Sequence, residues 1–177
     1  MHSTKTNTHT KGQSMAEFAL ALPILLLVLF GLLEVGRAVF MFASVTNASR
    51  EAVRYATAYG VNGSDVLHYQ NCEEIRNTAR QVAFLLPLDD EDIVIEYDTG
   101  PDPVTGVTDA PFAECAAGET VDTAVELTCG DRVVVSVTVD YQPIVPIVPM
   151  QAQEFDASSA RTFMGIIELS DEFTDCN

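Results

Sequence analysis

A nineteen-residue apolar run near the N-terminus most strongly limits what this chain can fold into. Met15 to Leu33 contains one charged side chain, Glu17. A helix of that length rises about 28 Å, close to the thickness of the hydrocarbon core of a bilayer. The run therefore predicts a helix that crosses a membrane once.

The residues on either side of the run indicate its orientation. Residues 1–12 contain Lys5 and Lys11 and no carboxylate. Because cations flanking an apolar helix stay in the cytoplasm, we expect the N-terminus inside and the rest of the chain outside. A secretory signal peptide begins in the same way. Here, however, the run is followed by Glu34 and Arg37 instead of a small-x-small cleavage site.

The carboxylate of Glu17 needs compensation, because a charge inside an apolar helix costs on the order of 2–3 kcal/mol near the bilayer centre and less near its edge. Cleavage after Gly12 would create an α-amine at Gln13, about one helical turn before Glu17. The amine of this or a neighbouring subunit would then pair with the carboxylate. At about 4 Å and an effective dielectric of about 20, the pair is worth about 4 kcal/mol before desolvation. The alternative is a Glu17 side chain that only reaches the membrane interface.

The run and its flanks also form one longer sequence pattern. It comprises Gly12 before the cut, Glu17 at the fifth mature position, Phe18, Pro23, and the motif Gly31-x-x-Glu34-x-Gly36-Arg37. This pattern resembles the type IV pilin-like N-terminus of TadE-like proteins, the pseudopilins of tight-adherence (Flp-type) pilus systems. The resemblance is strong over Gly12–Tyr59 and looser beyond.

The resemblance implies several partners and a role. A prepilin peptidase, an aspartic membrane protease, would cut between Gly12 and Gln13. The mature chain would insert in the membrane and act with other pilin-like subunits and the pilus assembly platform. A minor or initiating subunit is favoured over a major one, because the C-terminal part is large beside the very short major pilins of such systems.

Individual residues of the pattern have simpler interpretations as well. Pro23 lies inside the run and is expected to kink the helix, although prolines are tolerated in membrane helices. Glu34 and Arg37 are three residues apart and can pair on one helix face without any further function.

An apolar stripe extends the helix beyond the run, to about Tyr59. Its members are spaced alternately three and four residues apart: Ala38, Met41, Val45, Ala48, Ala52, Tyr55 and Tyr59. Packing of this stripe against the chain's own domain is favoured over a contact between subunits.

The rest of the chain predicts a small α+β domain with a pilin-like outline. A second amphipathic helix is expected over Cys72–Leu85, with Ile75, Ala79, Val82 and Ala83 on one side. An antiparallel sheet of three or four strands would include Ile93–Tyr97, Arg132–Tyr141 and Arg161–Leu169. A loop over 98–131 separates the first two strands. Pro143–Pro149 is an extended apolar connector, which either packs along the sheet or is exposed as a contact surface; packing along the sheet is favoured.

Together these patterns divide the chain into three parts. Residues 1–12 are a leader, residues 13–60 a membrane-spanning helix, and residues 61–177 an α+β domain outside the cytoplasm. The expected location is therefore the cell membrane, and in an assembled pilus the cell surface.

The four cysteines predict two disulfides in an exported domain. They are Cys72, Cys115, Cys129 and Cys176. The sequence cannot choose among the three pairings. A slight preference goes to Cys115–Cys129, which would close the loop and leave Cys72 for Cys176. Free buried thiols are the alternative.

Composition argues against several functions. The net charge of −17 disfavours nucleic acid, because phosphate binding needs clustered cations. No hydrolase, nucleotide-binding or zinc motif is present, so neither an enzyme nor a cofactor is expected. Asp98, Asp102 and Asp109 are spaced loosely like calcium ligands but do not match an EF-hand, and a solvated loop is preferred. The main alternative function is a membrane-tethered binding module with an uncleaved anchor and a ligand for the 98–131 loop.

Overall fold

The computed structural model describes residues 9–58, 60–61, 66–102, 105–144 and 151–164. Helix α1 spans His9–Ala56 and helix α2 spans Cys72–Val82. The strands are β1 (Ile93–Asp98), β2 (Ala113–Cys115), β3 (Arg132–Tyr141) and β4 (Gln153–Thr162). The predicted α+β class, with a long N-terminal helix, a short second helix and a four-stranded antiparallel sheet, is confirmed.

The chain divides into two compact units. The first takes α1 up to Val39 together with the segment from Gln142 to Ala152. The second takes the chain from Phe40 to Tyr141 and from Gln153 onward, and it contains the whole sheet.

Helix α1 is longer at its start than the sequence predicted. It begins at His9 instead of about Met15, continues through Pro23, and ends at Ala56. Leu and Ala, which favour helix, fill most of its apolar run. Gly60 follows the helix with a φ of 110°, a conformation that costs glycine little, so a glycine suits the point where the chain turns away.

The sheet has the strand order β2-β1-β3-β4, and every neighbouring pair is antiparallel. In the second unit, Val133, Val135, Val137 and Val139 alternate into the core with Ile93, Ile95 and Tyr97. Strand β3 has the predicted bounds, because this alternation of buried valine with half-exposed residues is a clear period of two. Strand β1 is one residue longer than predicted.

Helix α1 ends at Ala56 instead of about Tyr59, and three further elements differ from the predictions. The last strand is Gln153–Thr162 instead of Arg161–Leu169, and residues 165–169 lie outside the described residues. Strand β2 lies inside the segment predicted to be a loop. Helix α2 ends at Val82 instead of Leu85, and the Val82 side chain is exposed where the predicted apolar face would have buried it.

Candidate processing and assembly site

The predicted cleavage position lies within α1. A side chain at Gly12 would meet no atom within 4 Å, so the helix surface is open at this residue. One turn further on, the Nε2 atom of Gln13 donates a hydrogen bond to Oε1 of Glu17 at 3.2 Å. The residue that would carry the new α-amine is therefore already in contact with Glu17 in the uncleaved chain. The pairing of amine and carboxylate after cleavage stays a prediction.

The apolar run of α1 presents its side chains outward. Phe18 is 64% exposed and Leu25 is 60% exposed, although both are large hydrophobic residues. Within the described part of the chain, α1 is the one helix that is long and apolar enough to cross a membrane. Pro23 lies inside this helix, and the expected kink at that residue stays a prediction. An exposed apolar surface of this size marks a membrane or protein contact.

Glu34 departs sharply from its neighbours in this helix. Its side chain is buried, with a residue exposure of 3%, whereas Leu33 and Val35 on either side are exposed. Its Oε2 atom accepts a hydrogen bond from Nε of Arg37 at 3.4 Å. Its Oε1 atom accepts a hydrogen bond from the backbone N–H of Ile144 at 2.8 Å.

Arg37 makes a second hydrogen bond between α1 and the Gln142–Ala152 segment of the first unit. Its Nη2 atom donates a hydrogen bond to the backbone carbonyl of Gln142. The ion pair of Glu34 and Arg37 therefore holds one acceptor and one donor of the irregular chain just after β3. The sequence predicted the pair itself but gave it no function beyond the helix face.

The start of the connector therefore lies elsewhere than the sequence analysis expected. The described residues, Gln142 to Ile144, make these hydrogen bonds to α1 within the first unit, whereas packing along the sheet was predicted. Residues 145–149 of the connector lie outside the described residues.

The apolar stripe after the run packs in the core of the second unit, as predicted. Met41, Val45, Ala48 and Ala52 are buried there. Next to them, Oγ of Ser49 lies 2.9 Å from Oγ of Ser159 in β4. The use of this stripe in the chain's own domain is confirmed for these residues, and Tyr59 lies outside the described part.

The disulfide pairing differs from the preferred one. Cys72, the first residue of α2, is bonded to Cys115, the last residue of β2, with a Cα–Cα distance of 6.0 Å. The preferred Cys115–Cys129 bond is therefore wrong, and so is its complement between Cys72 and Cys176. The reason is that β2 pairs with β1 and thereby carries Cys115 to the start of α2. Cys129 is also disulfide-bonded, whereas Cys176 lies outside the described residues.

Arg76 is a structural residue that the sequence analysis missed. It is fully buried on α2, one turn after Cys72. Its guanidinium group donates hydrogen bonds to the backbone carbonyls of Cys115 at 2.9 Å, Ala116 at 2.7 Å and Glu119 at 2.7 Å. Its spacing, four residues after Cys72 and one after Ile75, places it on the buried face of α2, but the backbone carbonyls that bind it have no signature in the sequence.

Two of the three acidic residues that are spaced like calcium ligands, Asp98 and Asp102, accept hydrogen bonds from the protein itself. Both carboxylate oxygens of Asp98 accept hydrogen bonds from Arg132, at 2.7 and 2.8 Å, and Oδ1 also accepts from the N–H of Gly100. The hydrogen bonds from Arg132 lower the pKa of Asp98. Oδ1 of Asp102 accepts from the N–H of Thr105 at 2.7 Å. Among the residues that the structure describes, no three His, Cys, Asp or Glu side chains form a group that could hold a metal.

Tyr97 is fully buried in the core of the second unit, next to the disulfide. Its hydroxyl group donates to the backbone carbonyl of Tyr69 at 2.5 Å and lies 3.2 Å from Sγ of Cys115. Burial raises the pKa of this phenol well above its ordinary value. These contacts stabilise the core of the second unit.

Comparison with protein families gives one match. The model of the family described as TadE-like protein matches residues 12–54. The resemblance drawn from Gly12 to Arg37 is therefore confirmed for the N-terminal helix. No curated protein and no solved structure matches the chain.

Proposed function

We propose that this chain is a minor or initiating pilin-like structural subunit of a tight-adherence-type pilus. The observation that carries the proposal is the TadE-like match over residues 12–54, which coincides with a helix whose apolar side chains are exposed. The family match supports a pilus-associated, pilin-like protein. A structural role, not catalysis, follows from the same likeness.

The proposal includes membrane insertion through α1. The N-terminus lies in the cytoplasm, since Lys5 and Lys11 precede the apolar run. The domain formed by residues 61–177 lies on the other side of the membrane. Residues 13–60 are the spine helix, whose apolar run from Met15 to Leu33 crosses the membrane. Residues 1–12 are the leader that a prepilin peptidase removes by cutting between Gly12 and Gln13.

Glu17 gives the processed helix a means of aligning with a neighbour. In the uncleaved chain this carboxylate accepts a hydrogen bond from the Gln13 side chain. After cleavage, the α-amine of Gln13 in the same or a neighbouring subunit adds a positive charge to that contact. An unpaired carboxylate in lipid is costly, so packing in this register is favoured over other registers. The exposed Phe18 lies beside this contact and adds apolar area.

The partners follow from these surfaces. Other pilin-like subunits and the assembly platform contact the exposed apolar face of α1, and the membrane surrounds it before assembly. The role of a minor or initiating subunit rests on the size of the domain over 61–177 compared with very short major pilins. Nucleic acid is no partner of a chain with a net charge of −17.

The first experiment measures the intact mass and the N-terminal peptide of the protein isolated from its native membrane. We expect a mature chain that begins at Gln13. The variant Gly12→Ala is expected to accumulate uncleaved. The variant Gly31→Ala is the matched control, because it makes the same change in the same helix at a residue that is equally open.

Two outcomes contradict the proposal in different ways. An intact Met1 terminus in the presence of the native peptidase removes the processing step and favours the tethered binding module. Equal loss of cleavage in Gly12→Ala and Gly31→Ala attributes the effect to insertion or folding of the helix instead of peptidase recognition.

A second experiment tests the role of Glu17 in assembly. The variant Glu17→Gln is expected to be cleaved normally but to be lost from purified filaments, because the amide cannot form an ion pair with the α-amine. Glu91→Gln is a control in the other unit. Retention of Glu17→Gln in filaments at the level of the unaltered chain refutes the register argument.

A further inference from the structure

We infer that the described start of the connector after β3, Gln142 to Ile144, is a second membrane contact, whose Ile144 side chain enters the outer interfacial region of the bilayer. Glu34 and Arg37 hold its backbone against α1. The inference rests on the proposed membrane insertion of α1 and adds a lipid-binding surface that the family match does not include, since that match ends at residue 54.

The first argument is depth. Glu34 is the first charged residue after the apolar run, so it lies where an inserted α1 leaves the hydrocarbon core. The backbone nitrogen of Ile144 lies 2.8 Å from Oε1 of Glu34, and both belong to the first unit. Ile144 therefore lies at the depth of the interface wherever α1 is inserted.

The second argument is that backbone polar groups of this segment have hydrogen-bond partners. Irregular chain at membrane depth is tolerated only where its N–H and C=O groups have partners. The N–H of Ile144 has the Glu34 carboxylate, and the carbonyl of Gln142 has the Arg37 guanidinium. Pro143 lies between them and has no N–H to satisfy. A part-buried ion pair on a lipid-facing helix is thus explained by the chain segment to which it is hydrogen-bonded.

The third argument is the chemistry of the segment. Ile144 is 72% exposed despite being apolar. The sequence from Pro143 to Met150 is PIVPIVPM, which contains no charge in a chain with a net charge of −17. Residues 145–150 lie outside the described part, and only their composition is used here.

Lipid is the occupant that these observations favour over a second protein copy. The exposed Leu33 and Val35, which flank Glu34 on α1, belong to the surface that any inserted α1 presents to lipid. Ile144 continues this surface, since it is attached to the residue between them.

The test uses tryptophan fluorescence, because the chain contains no tryptophan. Ile144→Trp is introduced into the full chain, which is reconstituted in phosphatidylcholine vesicles. Some vesicles contain lipid brominated close to the headgroup, and others contain lipid brominated close to the chain end. We expect the emission of Ile144→Trp to be quenched mainly by the shallow bromines.

Two further positions calibrate the measurement. Leu25→Trp, in the middle of the apolar run, is expected to be quenched mainly by the deep bromines. Phe112→Trp, at an exposed residue of the second unit, is expected to be quenched by neither lipid. If Leu25→Trp is not quenched, the proposed membrane insertion fails. If Leu25→Trp is quenched and Ile144→Trp is not, only the present inference is wrong.

Emission of Ile144→Trp that is shifted to short wavelength but is quenched by neither lipid also overturns the inference. That result means that protein, including a second copy of the chain, covers the side chain.

The role of Glu34 is tested in the Ile144→Trp background. Glu34→Ala removes the acceptor for the backbone N–H and is expected to reduce shallow quenching. Glu34→Gln keeps an oxygen acceptor and is expected to retain it. Equal quenching in all three proteins refutes the attachment through Glu34, whereas loss in both substitutions shows that the charge, not the acceptor, is needed.

Discussion

Replacing Arg76 by methionine gives the sharpest test of how the second unit is held together. The substitution keeps an unbranched apolar side chain at a fully buried position and removes a guanidinium group that binds three backbone carbonyls. Those carbonyls belong to the last residue of β2 and to the segment that follows it, so Arg76 fixes this part of the chain to α2.

The expected loss can be estimated from the three hydrogen bonds. The bond to the Cys115 carbonyl is buried, whereas the bonds to the carbonyls of Ala116 and Glu119 are only part-buried. A hydrogen bond to a charged group contributes about 1.5–3 kcal/mol, and a carbonyl that can reach water recovers part of that loss. Removing the buried charge also relieves a desolvation cost. We therefore expect Arg76→Met to lower the free energy of unfolding by about 3 kcal/mol, a large share of a typical 5–15 kcal/mol.

The assay is urea unfolding of the full chain in detergent, followed by near-ultraviolet circular dichroism of the buried tyrosines. Arg54→Met is the control, since it makes the same chemical change at an exposed residue of α1 that pairs with Glu51. Its unfolding midpoint is expected to stay unchanged. The reasoning is refuted if Arg76→Met unfolds within about 1 kcal/mol of the unaltered chain or if Arg54→Met shifts the midpoint equally.

Three further predictions concern the same unit. Replacing both Cys72 and Cys115 by alanine is expected to cost about 4 kcal/mol by the chain-entropy relation, because the bond closes a sequence separation of 43 residues; an unchanged urea midpoint contradicts it. Hydrogen bonds from Arg132 lower the pKa of Asp98 in the folded state. The ionised Asp98 therefore stabilises the fold fully above about pH 4, the pKa of an unfolded Asp, and this stabilisation is lost as the pH falls through the pKa of the folded state. Asp98→Asn should therefore make the free energy of unfolding depend less on pH below about pH 4. An unaltered dependence on pH would count against the ion pair of Asp98 with Arg132. Burial raises the pKa of Tyr97 in the folded state. The neutral phenol therefore contributes its full stabilisation below about pH 10, the pKa of an unfolded Tyr, and this contribution falls as the pH rises above that value. Tyr97→Phe should be less sensitive to alkali, which unfolding curves at several alkaline pH values would measure.

The parts of the fold that the sequence predicted are those in which burial follows a strict period. The stripe through Val45 and Ala52 repeats every three or four residues, and β3 alternates buried valine with half-exposed residues. Strand β4 lacks such a signal. Its half-buried positions are Phe155, Ala157 and Ser159, and small or polar side chains there do not stand out from a loop.

The disulfide and Arg76 were missed for a different reason. Both depend on β2, a three-residue strand inside a segment rich in turn residues, whose pairing with β1 is a tertiary effect. An arginine on an amphipathic helix is also usually assigned to the exposed face, because burial of a charge is costly without partners. In this chain the partners are backbone carbonyls, which have no signature in the sequence.

The contact of Ser49 with Ser159 has a consequence for the order of folding. The two residues are separated by 110 positions, and the strand that contains Ser159 pairs along ten residues with β3. The core face of α1 therefore stays without its β4 contact until β4 itself has been made. Contacts so distant in sequence form slowly. A cell that makes this protein must therefore shield an apolar helix face and the unpaired edge of β3 from aggregation until β4 takes its place.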